Sequence, residues 1–319
     1  MNRNGLGSKR AKSISSTQAG KRRVADVGPD RIIRHFGASD IKGWYDATQP
    51  EIAGTANDTN LEFWYDKGPD QTHLYRVSAS RIPHYIHDGL NGHPIIRGAG
   101  QTNEHYVTAD SGGSAKTIDW GASCSAFVLV KTENDDNNQG IFGGTSDGVV
   151  PKSRFGCGSL QTGNPDSLRV ECYGRVDNSG DPKNFRADRF YDMTGSTGLP
   201  TCRNQFALYY LEYKINADTA TADNAFDRNV YTKEAITAMP LSLTQLEEND
   251  KVTASDATTM ASKGFDTAQM QVFRNIHDSM DDLDGEMGFI MFSNRHYSLK
   301  ERQMISKAIQ QIYGYANIN

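Results

Sequence analysis

Short strand-like segments separated by polar turn residues are the dominant pattern of this chain. Aromatic and β-branched residues recur in brief runs between clusters of Gly, Asn, Asp and Ser, and long segments with helical apolar spacing are nearly absent. Such runs are typical of β-strands joined by loops. A chain of 319 residues is long enough for one large all-β domain. We therefore expect an all-β fold.

The strand candidates are numerous enough for two packed sheets. They extend over Ile32–Asp46, Leu61–Tyr65, Pro94–Arg97, Ala126–Lys131, Gly140–Gly144, Leu168–Arg175, Phe206–Ile215, Asn229–Thr232, Met270–Arg274 and Gly288–Ser293. The second candidate ends in a turn at residues 66–69, where Gly68 permits positive φ and Pro69 fixes φ. This number of short strands favours a two-sheet antiparallel sandwich.

The clearest local signal is a capping box near the C-terminus. Ser298 stands three residues before Glu301, so that each side chain can bond the backbone amide of the other and begin a helix. Apolar residues follow at helical spacing, and Gly314 is typical of a helix end. We predict one amphipathic helix over residues 298–313 that packs against the sandwich.

The N-terminal segment is basic in a chain that is acidic overall. Residues 1–34 contain nine Lys and Arg residues and two Asp residues, whereas the whole chain has a net charge of −5. Such a segment has too little apolar surface to fold alone. We interpret residues 1–34 as an arm that folds on docking, and residues 35–319 as the folded domain.

The arm is expected to dock on neighbouring protein subunits. Its docking cations are Lys9, Arg10, Lys12, Lys21, Arg22 and Arg23, which would pair with acidic patches. The arm is short and has few aromatic residues, so we do not expect nucleic acid as its partner.

We expect neither a membrane span nor a signal peptide. No segment has the apolar length that a membrane helix needs, and the first residues lack an apolar core. The four cysteines, Cys124, Cys157, Cys172 and Cys202, are too sparse for a disulfide framework. We therefore expect buried thiols, no membrane partner and synthesis in the cytoplasm.

Two blocks of short motifs occur in a fixed order along the chain. The first contains Trp44–Thr48, Trp64–Gly68, Arg81–Tyr85 and Leu90–Arg97, and the second contains Leu283–Phe292, Ser298–Arg302 and Tyr313–Gly314. This order resembles the laminin G-like branch of the concanavalin A-like lectin and glucanase superfamily, as found in bacterial surface proteins and phage particles. The resemblance extends over about residues 36–315 and implies a jelly-roll sandwich.

The resemblance also suggests a role on a particle. On that basis we expect a non-catalytic virion structural protein, such as a capsid decoration, head fibre or tail appendage, assembled in the host cytoplasm as a homo-oligomer and anchored by the arm. The alternative is a glycan-binding adhesin or receptor-binding module whose partner is a polysaccharide.

A glycan site would use flat aromatic faces with polar rims. The aromatic candidates are Trp44, Trp64, Trp120, Tyr65, Tyr85, Tyr106, Tyr209 and Tyr213. We expect Trp44 and Trp64 in the core, because they lie in the fold-carrying motifs. Trp120 lies in the polar run 117–121 and is predicted to be more accessible. Trp120 and Tyr106 are therefore the candidate glycan contacts.

A glycoside hydrolase is a third alternative. A retaining enzyme needs two carboxylates that face each other across a sheet. Glu171 and Glu212 are the nearest candidates, but each stands alone on its strand, and alternation predicts solvated side chains. We therefore predict no catalytic residue.

No cofactor is expected. If a metal ion binds at all, Asp281, Asp282 and Asp284 are the candidate calcium ligands, because clustered carboxylates attract hard cations.

Overall fold

A computed structural model describes residues 39–49, 51–133, 138–145, 152–160, 167–178, 181–192, 201–216, 225–232, 237–238, 241–248, 254–267, 269–275 and 282–314. The predicted arm, residues 1–34, lies outside these residues together with its six docking cations. The beginning of the predicted opening strand, residues 32–38, also lies outside them.

Strands dominate the described residues. In chain order they are β1 (Ile41–Asp46), β2 (Thr59–Asn60), β3 (Phe63–Trp64), β4 (His73–Arg76), β5 (His84–Leu90), β6 (His93–Ala99), β7 (Tyr106–Ala109), β8 (Ile118–Asp119), β9 (Ser123–Thr132), β10 (Gln139–Gly144), β11 (Lys152–Leu160), β12 (Ser167–Asn178), β13 (Asp181–Asp192), β14 (Ala207–Ile215), β15 (Phe226–Thr232), β16 (Thr237–Ala238), β17 (Leu241–Glu248), β18 (Asp266–Thr267), β19 (Met270–Val272) and β20 (Asp284–Ser293). The helices are α1 (Ala254–Lys263) and α2 (Leu299–Tyr313). Neither of these two helices is long and apolar enough to cross a membrane.

The strands form two large antiparallel sheets. Sheet A has the order β16-β15-β14-β9-β20-β6-β5-β2, with β1 paired to β20. Sheet B has the order β17-β13-β12-β11-β10-β19-β7-β4-β3, and a separate ribbon pairs β8 with β18. The predicted all-β, two-sheet antiparallel sandwich is confirmed. Every predicted strand segment overlaps an observed strand.

Aromatic side chains fill the space between the sheets. Phe142 of sheet B meets Phe292 of sheet A edge to face, with ring centroids 5.4 Å apart. Trp64 belongs to the same buried cluster and is 0% exposed. Trp44 is equally buried but packs on the outer side of sheet A. Both tryptophans are therefore core residues, as predicted, and burial of such a side chain is worth about 2 to 3 kcal/mol.

Helix α2 covers the outer face of sheet A. Its capping box is present, since the Ser298 amide donates to Oε2 of Glu301 at 2.7 Å and the Glu301 amide donates to Oγ of Ser298 at 3.5 Å. Ile305 and Ile309 are buried in one cluster with Trp44. The predicted amphipathic C-terminal helix is confirmed.

Tyr313 fixes the end of helix α2 to sheet A. Its hydroxyl donates to Oδ1 of Asp46 at 3.0 Å and also contacts the carbonyl oxygen of Gly288. A Cβ at Gly288 would lie 3.0 Å from the Tyr313 ring, so this close approach favours glycine. The amide of Asn91, in the β5–β6 turn, donates to the Tyr313 carbonyl at 2.8 Å. The last helical residue thus contacts three strands or turns of sheet A.

The four cysteines are buried free thiols, as predicted. Burial raises the pKa of Cys124 and Cys157 well above the ordinary range of a thiol. It raises the pKa of Cys202 to about 11, although Tyr209 and Thr132 act in the opposite direction. Cys124, Cys157 and Cys202 are therefore protonated at neutral pH.

Removal of the Tyr313 hydroxyl tests the attachment of helix α2. We expect Tyr313→Phe to lower the free energy of unfolding by about 1 to 2 kcal/mol, because buried acceptors lose their donor. Gln311→Ala is the matched control, since Gln311 is exposed on the same helix and should change stability by less than about 0.5 kcal/mol. Urea denaturation measures both variants. Equal stability of the two variants would contradict the assigned role of the hydroxyl.

Candidate functional site

Trp120 and Tyr106 lie in the core, so the prediction that Trp120 is accessible is wrong. Trp120 is 0% exposed, and its ring meets Phe155 edge to face at 5.1 Å. The β8–β18 ribbon and the left-handed turn at Gly121 direct the chain inward here. Tyr106 is also 0% exposed, and its hydroxyl donates to the Leu61 carbonyl at 2.8 Å. Neither ring is available to a ligand at the surface.

Asp282 is paired with two basic side chains. Its Oδ1 accepts from Nη1 of Arg274 at 3.0 Å, and its Oδ2 lies 3.0 Å from Nδ1 of His105. Asp284 begins β20, and Asp281 lies outside the described residues. Among the residues that the structure describes, no group of three or more His, Cys, Asp or Glu side chains is placed to hold a metal ion. Asp282 is therefore directed to side chains of the protein itself, and a calcium site that includes Asp281 stays a prediction.

Glu171 and Glu212 are buried, so the prediction of solvated side chains is wrong. Glu171 is 0% exposed, and its Oε2 lies 3.2 Å from Nη2 of Arg169. Glu212 is 8% exposed and accepts from the hydroxyl of Tyr231 at 3.2 Å. The residues on either side of each glutamate face the shared core, so the two carboxylates lie on opposite outer faces of the sandwich. They cannot act together on one substrate.

An aromatic platform, defined as Phe63, Tyr65 and Tyr75, lies on the outer face of sheet B at its β3 edge. Trp64 points into the core, so its two chain neighbours point outward. Phe63 is opposite Tyr75 in the β3–β4 register, and their ring centroids are 4.5 Å apart. The rings of Phe63 and Tyr65 lie nearly parallel, 5.9 Å apart. All three rings are partly exposed.

A polar cleft of about 490 Å³ opens beside this platform. The cleft is lined by Glu51, Tyr65, Asp66, Lys67, Gly68, Gln71 and His73. Tyr65 belongs to both surfaces, and its ring meets the imidazole of His73 at 5.3 Å. Gln71 has a left-handed backbone with φ of 46°, which is uncommon outside glycine and is found at ligand sites. The platform and the cleft form one continuous candidate site.

Asp66 fixes the shape of the cleft. Its Oδ1 accepts from the amides of Trp44 at 2.7 Å and Gly68 at 2.6 Å, and its Oδ2 accepts from the amide of Thr72 at 2.9 Å. A Cβ at Gly68 would lie 2.8 Å from Oδ1, so the turn needs a glycine there. Burial raises the pKa of Asp66 to about 6, while the three backbone donors oppose this shift.

His73 is an uncharged donor in the wall of the cleft. The amide of Asp66 donates to its Nδ1 at 3.1 Å, which assigns the proton of the neutral imidazole to Nε2. Burial lowers the pKa of His73, and Lys116 lowers it further against the opposing effect of Asp110. At neutral pH this side chain can therefore donate a hydrogen bond without carrying a charge.

The arrangement suits a ligand that has both an apolar face and a polar rim. The platform provides flat rings, whereas the cleft, which Tyr65 also lines, adds amide, carboxylate and imidazole groups. Concave sites of this kind use apolar surface for affinity and a few polar groups for orientation.

The sequence does not single out this site. Tyr65 is among the aromatic candidates and the turn at residues 66–69 is predicted, but Phe63 and Tyr75 are not among the candidates. One signal is present in the sequence, because a core position for Trp64 directs Phe63 and Tyr65 outward by alternation. Tyr75 requires knowledge of the β3–β4 register.

No protein family model and no curated protein matches the chain. Three solved structures are similar to this chain. The first is the binding domain of Paraclostridial Mosquitocidal Protein 1, with 8% sequence identity and a TM-score of 0.43. The second is domain 4 of AbnA, an extracellular arabinanase from Geobacillus stearothermophilus, in complex with arabinotriose, with 11% identity and a TM-score of 0.45. The third is the ligand-binding domain of botulinum neurotoxin serotype D in complex with N-acetylneuraminic acid, with 10% identity and a TM-score of 0.43.

The three matches cover 84%, 84% and 85% of this chain, and 52%, 98% and 51% of the respective structures. This chain therefore spans about half the length of the two toxin domains. At these identities and TM-scores the likeness carries no argument about function.

The titration of Asp66 predicts a pH dependence of stability. The folded protein binds this proton more tightly than the unfolded chain, because the pKa is raised from 3.8 to about 6. The resulting stabilisation is present below pH 4 and is lost as the pH rises through 6. We expect the stability of the wild type relative to Asp66→Asn to fall by roughly 2.4 kcal/mol between pH 4 and pH 7.

Urea denaturation of both proteins at each pH measures this difference. Because the other carboxyl groups are common to both proteins, their titrations largely cancel in the comparison. A difference that stays constant, or that grows with pH, would contradict a raised pKa for Asp66.

Proposed function

We propose that this chain is a non-catalytic carbohydrate-binding module that uses the aromatic platform and the polar cleft. The observation that carries the proposal is the placement of three partly exposed rings on one face of sheet B, directly beside a cleft with built-in hydrogen-bonding groups. Sugar rings have C–H faces that pack on aromatic rings and hydroxyl groups that need polar partners.

The rigidity of the site supports this proposal. The turn that carries the cleft is held by backbone hydrogen bonds to Asp66, and Lys67 donates its amide to the Trp44 carbonyl at 2.8 Å. Phe63 and Tyr75 lie on two paired strands, and Tyr65 directly follows the first of these strands. A preformed site loses little conformational entropy on binding.

The positions of the carboxylates support a role without catalysis. Glu171 and Glu212 lie on opposite outer faces, each beside a neighbouring polar side chain. Glycoside hydrolysis needs two carboxyl groups on either side of one bond.

Membership of the laminin G-like branch of the concanavalin A-like superfamily stays a proposal that rests on the motif order. A structural role on a virion, with the basic arm docked on neighbouring subunits, stays a prediction, because residues 1–34 lie outside the described residues. Homo-oligomer formation likewise stays a prediction.

Truncation of the platform tests carbohydrate binding. We expect Phe63→Ala and Tyr65→Ala each to weaken polysaccharide binding by roughly tenfold to thirtyfold, since each loses about 1.4 to 2 kcal/mol of apolar contact. Affinity electrophoresis in gels that contain a panel of plant and microbial polysaccharides measures the change.

Leu299→Ala is the control, because Leu299 is 51% exposed at the start of helix α2, on the outer side of sheet A. This variant should bind as the wild type does. Thermal unfolding verifies that all three variants are folded. Retention of full binding by folded platform variants would refute the assignment of the site.

A further inference from the structure

We propose that the ligand of this site is an uncharged polysaccharide. This inference rests on the proposed function and adds the chemical class of the saccharide. Its basis is that, in the part of the chain that the structure describes, each cation beside the candidate site contacts a carboxylate or carbonyl group of the protein itself; these cations are Lys42, Lys67, Arg76 and Lys116.

The cation inside the cleft is already paired. Nζ of Lys67 lies 4.0 Å from Oε2 of Glu51, and both residues line the cleft. The Glu51 side chain is 53% exposed, so it presents negative charge to any ligand that approaches Lys67. An acidic sugar would have to displace or face this carboxylate, and like charges at short range cost free energy.

The cations around the cleft and the platform are paired in the same way. Nε of Arg76 lies 3.0 Å from Oε1 of Glu62, while its guanidinium carbon lies 5.3 Å from the centre of the Tyr75 ring. Nζ of Lys42 lies 3.7 Å from Oδ2 of Asp70. Lys116 donates to the backbone carbonyl of that same aspartate.

His73 and Asp66, which also line the cleft, add no positive charge. His73 is neutral at pH 7, because burial and Lys116 lower its pKa. The Asp66 carboxylate is directed to backbone amides of its own turn and of β1. A ligand therefore meets hydrogen-bonding groups and aromatic rings, and the described residues around the site provide no excess of positive charge to attract a uronate or a sulfate.

The test compares uncharged and acidic polysaccharides on the full chain. Affinity electrophoresis is run in gels that contain galactomannan, arabinoxylan or mixed-linkage β-glucan, and in gels that contain polygalacturonate or alginate, each at 50 and 500 mM NaCl. We expect retardation by at least one uncharged polymer, with an affinity that changes less than about twofold with salt, because no net charge is screened. The affinity for the acidic polymers should be at least tenfold lower than the affinity for that uncharged polymer.

Glu51→Gln tests the cause of this selectivity. It leaves Lys67 without its carboxylate partner, so the ratio of acidic to uncharged affinity should rise at least threefold at 50 mM NaCl and return toward the wild-type value at 500 mM. Glu133→Gln is the matched control, since it removes the same charge from a salt bridge with Lys131 on sheet A. That variant should leave the ratio unchanged.

The outcomes separate this inference from the proposed function. Acidic polymers that bind as tightly as uncharged ones, in a salt-sensitive manner, would overturn the inference and leave carbohydrate binding in place. If Glu51→Gln and Glu133→Gln have the same ratio of acidic to uncharged affinity, the inference is also overturned, because the Lys67–Glu51 salt bridge would then not set the selectivity. Retardation by none of the polymers would overturn the proposed function and the inference with it.

Discussion

A single buried carboxylate connects the candidate site to the rest of the sandwich. Asp66 accepts from the backbone of β1, from its own turn and from the residue before β4. Transfer of a carboxylate from water into the protein costs free energy, and three backbone donors offset part of that cost. Because its partner Trp44 also packs beneath helix α2, the position of the cleft depends on both sheets and on the C-terminal helix.

The outer face of sheet A is covered by a helix, whereas part of the outer face of sheet B is open to solvent. Helix α2 covers sheet A, and Tyr313 binds Asp46 at the end of β1. The β3 edge of sheet B instead presents its aromatic rings to solvent. Asp46 and Asp66 both belong to the motifs noted in the sequence, yet both are buried acceptors whose pKa is raised by burial. In this protein the motif aspartates therefore stabilise the fold that positions the site.

Features that depend on neighbouring residues were predictable from the sequence. The capping box at Ser298 and Glu301 predicts helix α2 almost to the residue, because both partners lie within one helical turn. The strand candidates follow from local composition for the same reason. The two-sheet architecture follows from their number, whereas strand order and register do not.

Features that depend on distant contacts were not predictable. Trp120 is buried because β8 pairs with β18, about 150 residues later in the chain, and a polar local sequence gives no sign of this. Glu212 is covered by Arg302 of helix α2, whose Nη1 lies 3.5 Å from its Oε1. The aromatic platform combines Phe63 of β3 and the following Tyr65 with Tyr75 of β4, so it appears only when the β3–β4 register is known.

Burial of the thiols determines how fast reagents can modify them in the folded protein. With a pKa of about 11, Cys202 is thiolate in only about one molecule in ten thousand at pH 7, and that small fraction is enclosed by the core. Alkylating reagents and disulfides can therefore react with these sulfurs only while the sandwich is open. The rate at which these thiols are modified therefore reports how often the two sheets separate.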